Sequence, residues 1–221
     1  MDYTGGTCEY FAVSKKGLQA QWGSCVFDTS RFLAPTSGLP YTKEMEILKA
    51  IHSATTTAHK RFLVIGGHAL NVHGVMRSTG DIDLMVESAD AQFWKELLQR
   101  LGYTIFHESS GFMQSKPAVV TAWPIDLMLV STETLSKALA DASISDIFGP
   151  TLSVASVASL IAMKLHALKY VDPVRALKDQ SDLVALLQQA GIAPDSQAFR
   201  QLCIRYGTLE IYERITKIVK S

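Results

Sequence analysis

The sequence contains little cysteine, no excess of charge of either sign and no long apolar run. The three cysteines, Cys8, Cys25 and Cys203, are an odd number and lie far apart. They form neither a CxxC pair nor the Cys/His spacing of a metal site, which argues against a zinc centre and favours a reducing compartment.

Charge is balanced, with 21 lysines and arginines against 21 aspartates and glutamates. Such a chain has no net field to draw it to nucleic acid or to an anionic membrane, so a nucleic-acid contact would need a local patch. No apolar segment approaches the ~20 residues needed to span a bilayer. The N-terminus also lacks the basic stretch and apolar run of a secretory leader. We therefore expect a soluble cytoplasmic protein without membrane contacts.

The composition is that of a folded protein, with 48% hydrophobic and 19% charged residues. Residues 1–40 are rich in Gly, Ser and Thr and end in "APTSGLP", which predicts either an extension of unknown role or a segment upstream of a start at Met45. Strand and helix patterns alternate over residues 41–150, whereas residues 151–221 have helical periodicity only. The sequence therefore predicts an α/β catalytic domain followed by a helical bundle.

The order of elements follows from apolar periodicity and from the residues that end helices. The first half is predicted to contain a helix near 42–60, a strand in "RFLVIGG", a short helix in "HALNVHG", a strand in "DIDLMVE", a helix through "AQFWKELLQR" and strands in "YTIFHE" and "AVVTAWPIDLMLV". The second half is predicted to contain helices in "SVASLIAMKLHALKY" and "DPVRALKDQSDLVALLQQA" and two shorter helices over 195–219.

Carboxylates in two apolar strands are the first candidate site. Asp81 and Asp83 are two residues apart and would project to the same face of a strand. Asp126 lies in another apolar run, where a lone charge would be costly to bury. Three such carboxylates suit a two-metal site for phosphoryl transfer, because hard oxygen ligands favour Mg²⁺. The alternative is that these aspartates are turn or cap residues, since an Asp-x-Asp pair is common by chance.

Two glycines precede the aspartates. Gly66 and Gly67 end a predicted strand directly before a helix, where backbone N–H groups could receive a phosphate. In isolation, paired glycines more often make a tight turn. The whole order indicates a phosphate and metal site more specifically than any part of it does. It runs from a strand through Gly-Gly, a short helix, Arg77 and Asp-x-Asp to a later strand aspartate.

This order of motifs, "GGHAL", "HG" and "RSTGDIDL", resembles the nucleotidyltransferase superfamily of polymerase-β-like enzymes and antibiotic nucleotidyltransferases. It looks most like the branch of abortive-infection nucleotidyltransferase toxins of type IV toxin-antitoxin systems, with lincosamide nucleotidyltransferases a more distant likeness. The resemblance covers residues 60–190 or so. It implies a nucleotidyltransferase-fold mixed sheet with flanking helices, followed by a C-terminal helical bundle.

The resemblance also implies roles for individual residues. Gly66 and Gly67 match the phosphate-binding turn, Asp81 and Asp83 the metal-binding pair, and Asp126 the third carboxylate, which can help to activate an acceptor hydroxyl. The implied activity is transfer of a nucleoside monophosphate from an NTP such as ATP, with Mg²⁺ or Mn²⁺, and release of pyrophosphate. The acceptor stays open between RNA, a protein and a small molecule, and the toxin likeness adds a cognate antitoxin as a partner.

Two neighbouring residues are candidates for nucleotide binding. Many members of the superfamily have Ser or Thr directly after the glycine turn, where this chain has His68. His68 therefore either donates to phosphate or packs at the helix start. Arg77 either binds the triphosphate or braces its loop against a carboxylate.

The helical half carries a charged stripe in which Arg175, Lys178, Asp179 and Asp182 share one helix face. By composition alone these residues would form surface pairs from Arg175 to Asp179 and from Lys178 to Asp182, worth about 0.2–0.5 kcal/mol each. The resemblance instead implies that Lys164, Lys178 and Asp179 face the nucleotide, with Lys164 taking part in catalysis. The opposite stripe of the same helix is predicted to pack in the core and comprises Leu177, Val184 and Leu187.

Two other functions compete with this interpretation. A catalytically degenerate nucleotidyltransferase-like module that binds nucleotide for regulation is favoured by His68, whereas the three aspartates argue against it. A glycosyltransferase could use Asp-x-Asp to hold a sugar nucleotide, but this leaves the glycine turn and Asp126 without a role.

Overall fold

The computed structural model describes residues 42–119, 122–170 and 173–220. The extension predicted for residues 1–40 lies outside this part. The strands are β1 (Phe62–Val64), β2 (Ile82–Glu87), β3 (Tyr103–Glu108), β4 (Phe112–Pro117), β5 (Ile125–Val130), β6 (Ser143–Ser145) and β7 (Leu152–Val154). The helices are α1 (Thr42–Thr57), α2 (Gly66–Val72), α3 (Ala91–Arg100), α4 (Thr132–Ala140), α5 (Val157–Ala167), α6 (Pro173–Gln189), α7 (Gln197–Tyr206) and α8 (Leu209–Lys220), and a 3₁₀ turn (Ser88–Asp90) precedes α3.

The seven strands form one mixed sheet in the order β3-β4-β5-β2-β1-β7-β6. The pairs β2–β5 and β1–β7 are parallel, and the other neighbours are antiparallel. Helices flank the sheet and the C-terminal region is helical, which confirms the predicted fold class.

The core lies at the centre of the sheet. Ile82, Leu84 and Val86 alternate along β2 and are fully buried, as the period of two predicts. Helix α3 packs there through Trp94, whose ring meets that of Phe62 edge-on at 6.0 Å. The loop that carries Asp81 therefore leads directly into one of the buried central strands of the sheet.

The helical region begins later than its periodicity suggests. Strand β7 follows Pro150 and pairs with β1 through Val64 and Val154, so helices alone continue only from Val157. Ser156 and Ser196 begin α5 and α7 as N-caps, because their hydroxyls accept the N–H groups of Ser159 and Phe199 at 3.1 and 3.2 Å.

One predicted core position is wrong. Leu177 of α6 is 69% exposed, whereas Leu187 on the same helix is fully buried. The buried face of α6 therefore lies further round the helix than the predicted stripe, and it includes the charged residues Asp179 and Asp182. Among the described helices, none is long and apolar enough to cross a membrane.

Candidate active site

Two of the predicted aspartates lie side by side at the same end of two parallel strands. Strands β2 and β5 pair in register, so that Asp83 is the partner of Asp126. Because paired residues on adjacent strands project to the same face, the two carboxylates share one side of the sheet. The side chain of Gln114 on β4 donates to Asp126 Oδ2 at 2.8 Å and so orients that carboxylate.

Asp81 lies just outside the strand on which the sequence places it. β2 begins at Ile82, so Asp81 belongs to the preceding loop. Its Oδ1 accepts the hydroxyl of Thr79 at 2.7 Å, which fixes the carboxylate in the absence of strand geometry. Asp81 and Asp83 were predicted to lie together because alternate residues of a strand share a face, but this alternation does not position Asp81. The local hydrogen bond from Thr79 does so instead.

The electrostatics of Asp83 link the three carboxylates. The pKa of Asp83 is raised from 3.8 to about 6, chiefly by burial and then by the negative charges of Asp81 and Asp126. Lys164 and Arg77 act in the opposite direction. The site is thus a partly desolvated cluster in which the acidic charge outweighs the nearby cations.

The donor set fits a divalent cation in chemistry and in charge. Carboxylate oxygens are the ligands of Mg²⁺ and Mn²⁺, and a cation would relieve the repulsion that raises the pKa of Asp83. Across residues 42–119, 122–170 and 173–220, no three His, Cys, Asp or Glu side chains are already grouped as metal ligands.

The glycine turn packs directly against Asp83 and Thr79. Gly66 and Gly67 are the first residues of α2 and do not precede it, which corrects the predicted boundary. Gly66 has φ +64°, and a Cβ there would lie 1.9 Å from Asp83 Oδ2. A Cβ on Gly67 would lie 2.5 Å from Thr79 Oγ1. Both positions need glycine because the backbone approaches the side chains of Asp83 and Thr79 so closely. The phosphate-binding role of this turn stays a prediction.

His68 is almost completely buried, at 2% exposure. Its ring lies 5.1 Å from that of Trp123 and meets the ring of Phe148 edge-on at 5.6 Å. Of the two predicted alternatives, this environment favours the packed side chain over a phosphate donor at the surface.

Arg77 and Lys164 meet at one buried carboxylate. Arg77 Nη1 and Lys164 Nζ each lie 2.6 Å from Asp182 Oδ2, and Lys164 Nζ lies 2.7 Å from Asp179 Oδ1. Asp179 and Asp182 are 5% and 6% exposed. The surface pair predicted between Lys178 and Asp182 is therefore wrong, because Asp182 faces the protein interior. Arg77 makes the loop-bracing contact that was one of its two alternatives.

A second set of hydrogen bonds that holds the Arg77 loop was not predicted. The Asn71 side chain donates to the Arg77 carbonyl at 3.0 Å and accepts the Arg77 N–H at 2.8 Å. An asparagine amide can satisfy both backbone groups in this way, so the loop that leads to Asp81 is held at Arg77 by its backbone and by its side chain. No local sequence pattern marks Asn71, Thr79 or Gln114, since their partners are defined by the loop path and the strand register.

Lys178 lies on the exposed side of α6. It borders a cavity of about 320 Å³ between the Arg77 loop and α6. The polar residues that line this cavity are Arg77, Ser78, Lys178, Ser181 and Asp182. A larger cavity of about 480 Å³ lies between α1, the start of β3 and the segment before β5, and none of the predicted site residues lines it.

Comparison with solved structures identifies the architecture. The crystal structure of ANT(2'')-Ia in complex with adenylyl-2''-tobramycin superposes with a TM-score of 0.54 at 14% identity, over 80% of this chain and 99% of that one. The solution structure of the antibiotic-resistance factor ANT(2'')-Ia gives 0.52 at 15% identity, over 81% and 92%. The chain has the nucleotidyltransferase fold.

The nucleotidyltransferase fold is what these comparisons establish. No model of a known protein family matches the chain, and no curated protein sequence matches it. The predicted toxin branch therefore stays a prediction. Within the nucleotidyltransferase fold of this chain, Asp83 and Asp126 are the two predicted residues that the sheet itself brings together.

Proposed function

We propose that the protein is a metal-dependent nucleotidyltransferase that moves a nucleoside monophosphate from an NTP to an acceptor hydroxyl. The observation that carries the proposal is the register pairing of Asp83 with Asp126, two carboxylates on adjacent parallel strands in a chain with the nucleotidyltransferase fold. The raised pKa of Asp83 supports it, because perturbed carboxylates in a partly desolvated cluster are typical of functional sites.

In this proposal Asp81, Asp83 and Asp126 hold Mg²⁺ or Mn²⁺. Held there, such a cation would supply positive charge to neutralise the triphosphate and the reacting oxygens. Asp126 receives the proton of the acceptor hydroxyl, whose oxygen forms a bond to the α-phosphorus as the bond to the β-phosphate breaks and pyrophosphate leaves. Gln114 holds Asp126 in the orientation needed for that transfer.

The cationic residues would act on the triphosphate. Arg77 and Lys178 border the same cavity, and Lys164 lies close enough to Asp83 to lower its pKa. We assign Lys164 to stabilising the charge that develops on pyrophosphate, with Asp179 orienting its ammonium group. Gly66, Gly67 and His68 would contribute the shape of the turn beside the phosphates.

The proposal also covers the identity of the acceptor and the biological role of the transfer. An acceptor hydroxyl on RNA, on a protein or on a small molecule is compatible with the same chemistry. The resemblance to abortive-infection toxins adds the hypothesis of a toxin with a cognate antitoxin. The nucleotide is open among the common NTPs, and ATP is the first to test.

Calorimetric titration of each NTP, with and without Mg²⁺, tests the proposal without knowledge of the acceptor. We expect Mg²⁺-dependent binding that is lost in Asp83→Asn, because the amide cannot supply the same negative ligand. Asp195→Asn is the matched control, since Asp195 is about half-exposed and pairs with Lys220 at the surface. Binding that is equally strong in Asp83→Asn would remove Asp83 from the site.

The degenerate binding module remains a second candidate because of two contacts. His68 is packed between aromatic rings, and Lys164 is held by two carboxylates. This candidate predicts NTP binding without transfer of labelled phosphate from an α-labelled NTP to any acceptor. Release of pyrophosphate in the presence of an acceptor would exclude it.

A further inference from the structure

One oxygen of Asp182 holds two cations. Arg77 Nη1 and Lys164 Nζ each lie 2.6 Å from Asp182 Oδ2, so the two nitrogens are no more than twice that distance apart. The side chains of Arg77, Lys164 and Asp182 are 15%, 14% and 8% exposed and come from the Arg77 loop, α5 and α6. Both cations belong to the proposed transfer, whereas the carboxylate that joins them has had only a structural role.

Both cations keep hydrogen-bond donors to spare. An ammonium group has three donors, and Lys164 uses two of them, for Asp179 Oδ1 at 2.7 Å and for Asp182 Oδ2. A guanidinium group has five, and Arg77 donates to Asp182 from Nη1. Arg77 Nε is buried and has no hydrogen-bond partner in the described part of the chain. A buried donor without a partner is costly unless a ligand satisfies it, so this nitrogen points to a bound acceptor.

The two cations lie beside the predicted metal site and beside a cavity. Both act to lower the pKa of Asp83, which places them within electrostatic reach of the carboxylates. Arg77 and Asp182 line the cavity of about 320 Å³ between the Arg77 loop and α6, together with Lys178. Asn71 holds the backbone of Arg77 at its N–H and at its carbonyl. Arg77 is thus fixed at its backbone by Asn71 and at its guanidinium by Asp182.

We propose that Asp182 is a positioning residue of the transfer, an inference that rests on the proposed function. It holds the Lys164 ammonium and the Arg77 guanidinium so that their free N–H groups face the β- and γ-phosphates. When the acceptor oxygen bonds to the α-phosphorus, the bond from that phosphorus to the oxygen that bridges to the β-phosphate breaks. The electron pair of the broken bond stays on the leaving pyrophosphate, whose oxygens accept hydrogen bonds from Arg77 and Lys164. Asp182 stays ionised and touches no reacting atom.

Placement of donors, more than net charge, is what this cluster contributes. The two cations balance Asp179 and Asp182, so the four side chains together bring no excess positive charge to a triphosphate. Attraction over distance comes from the metal and from Lys178, which is exposed at the cavity. Long Arg and Lys side chains lose rotamer entropy when a ligand fixes them, and Asp182 fixes both in advance. The benefit is therefore limited to the phosphates that these donors contact.

Calorimetric titration of Asp182→Asn tests this inference with three probes in the presence of Mg²⁺. The probes are the NTP that the wild type binds, its monophosphate and inorganic pyrophosphate. We expect the affinity for the NTP and for pyrophosphate to fall about tenfold, because charge-assisted hydrogen bonds weaken when their donors are no longer held in place. The affinity for the monophosphate should stay unchanged, since it lacks both phosphates that the donors face. Asp195→Asn, which removes a surface pair with Lys220, is the control and should bind all three probes as the wild type does.

Arg77→Lys tests the same inference in a variant that keeps the ion pair. Lysine retains the positive charge beside Asp182 but lacks Nε and the rigid fork of the guanidinium. NTP affinity should fall about tenfold, again without a change for the monophosphate. Circular dichroism at the titration temperature shows whether each variant is folded, and this second test does not depend on Asp182→Asn. An NTP affinity equal to that of the wild type would show that Arg77 only braces its loop, and would overturn the inference.

The outcomes separate this inference from the proposed function. A wild type that binds no NTP with Mg²⁺ would end the proposed function and this inference with it. With wild-type binding intact, an equal loss of affinity for the NTP and the monophosphate in Asp182→Asn would leave Asp182 a structural role only, as would unchanged affinity. Tighter NTP binding in that variant would show that Asp182 competes with the phosphates for the two cations. Each of these results would overturn the positioning role and leave the metal-dependent transfer standing.

Discussion

Asp83 is held in a place where its charged form is disfavoured. Burial and the neighbouring carboxylates raise its pKa to about 6, whereas the unfolded chain would titrate near 3.8. A carboxyl whose pKa is raised by folding stabilises the folded state fully below the unfolded pKa, and this stabilisation is lost as pH rises through the folded pKa. The free-energy cost of ionising Asp83 in the folded protein should therefore develop as the pH rises from 4 to 6.

We predict that Asp83→Asn stabilises the metal-free protein at neutral pH while it abolishes nucleotide binding. The rise in the pKa of Asp83 from 3.8 to about 6 corresponds to a gain for Asp83→Asn of up to about 3 kcal/mol in the free energy of unfolding at pH 7.5, and to little gain at pH 4. Urea unfolding of both proteins at the two pH values measures the difference. An unchanged or lower stability of Asp83→Asn at pH 7.5 would contradict the assigned electrostatics.

At the scale of elements, a buried ion cluster joins the Arg77 loop to the C-terminal helices. Asp182 on α6 accepts from Arg77 and from Lys164 of α5, so one carboxylate connects three separate segments. Removing one member of such a cluster leaves buried charge without compensation. Loss of one member of the cluster should therefore destabilise both the loop before Asp81 and the C-terminal helices.

We predict that Asp182→Asn lowers the free energy of unfolding by about 2–4 kcal/mol at neutral pH. The matched control is Asp195→Asn, whose pair with Lys220 is 3.2 Å long with both side chains more than half exposed, and which should change stability by less than about 1 kcal/mol. Chemical denaturation measures both. Equal, small losses in the two variants would show that the Asp182 cluster is solvated and contributes little.

The elements that could be predicted are those with a local signal. The helix through "AQFWKELLQR" and the strand "YTIFHE" follow from apolar spacing and from Gly102, which has φ +83°. Strand β4 was missed because half of the residues in "FMQSKP" are polar and because the strand is specified by its pairing with β3 and β5. Among the described elements, β6, β7 and α4 were not predicted either, and the first two are only three residues long.

The candidate site could be predicted in its residue types but not in its contacts. Asp83 and Asp126 were found because an acidic residue within an apolar strand is costly unless it has a function. Their pairing depends on the register of β2 and β5, which no local pattern encodes. The Arg77–Asp182 pair joins residues 105 positions apart, so the local i,i+4 rule assigned Asp182 the wrong partner.

At the scale of the whole molecule, α5 links the sheet region to the C-terminal helices by packing on α2, α6 and α7. Cys203 lies on α7 and is fully buried, and burial raises the pKa of its thiol to about 12. Its reactivity therefore reports the opening of the helical region, because only the exposed thiolate reacts at neutral pH.

We predict that Cys203 becomes reactive only when the sheet unfolds. In a variant with Cys8→Ser and Cys25→Ser, thiol labelling across a urea series should have the same midpoint as hydrogen exchange of the β2 amides. Both measurements would then describe one cooperative unit. Labelling of Cys203 at a lower urea concentration would instead support the predicted division of the chain near residue 150.

The two edge strands of the sheet, β3 and β6, influence whether one molecule can pair with another. An edge strand offers unpaired backbone groups to a strand of another molecule, and long regular edges promote aggregation. Here β6 has three residues, and β3 is interrupted by its bulge between Ile105 and His107. Neither edge presents a long regular template, so the chain can display the exposed side chains of Phe106 and Phe112 while its own geometry discourages growth of the sheet from one molecule into the next.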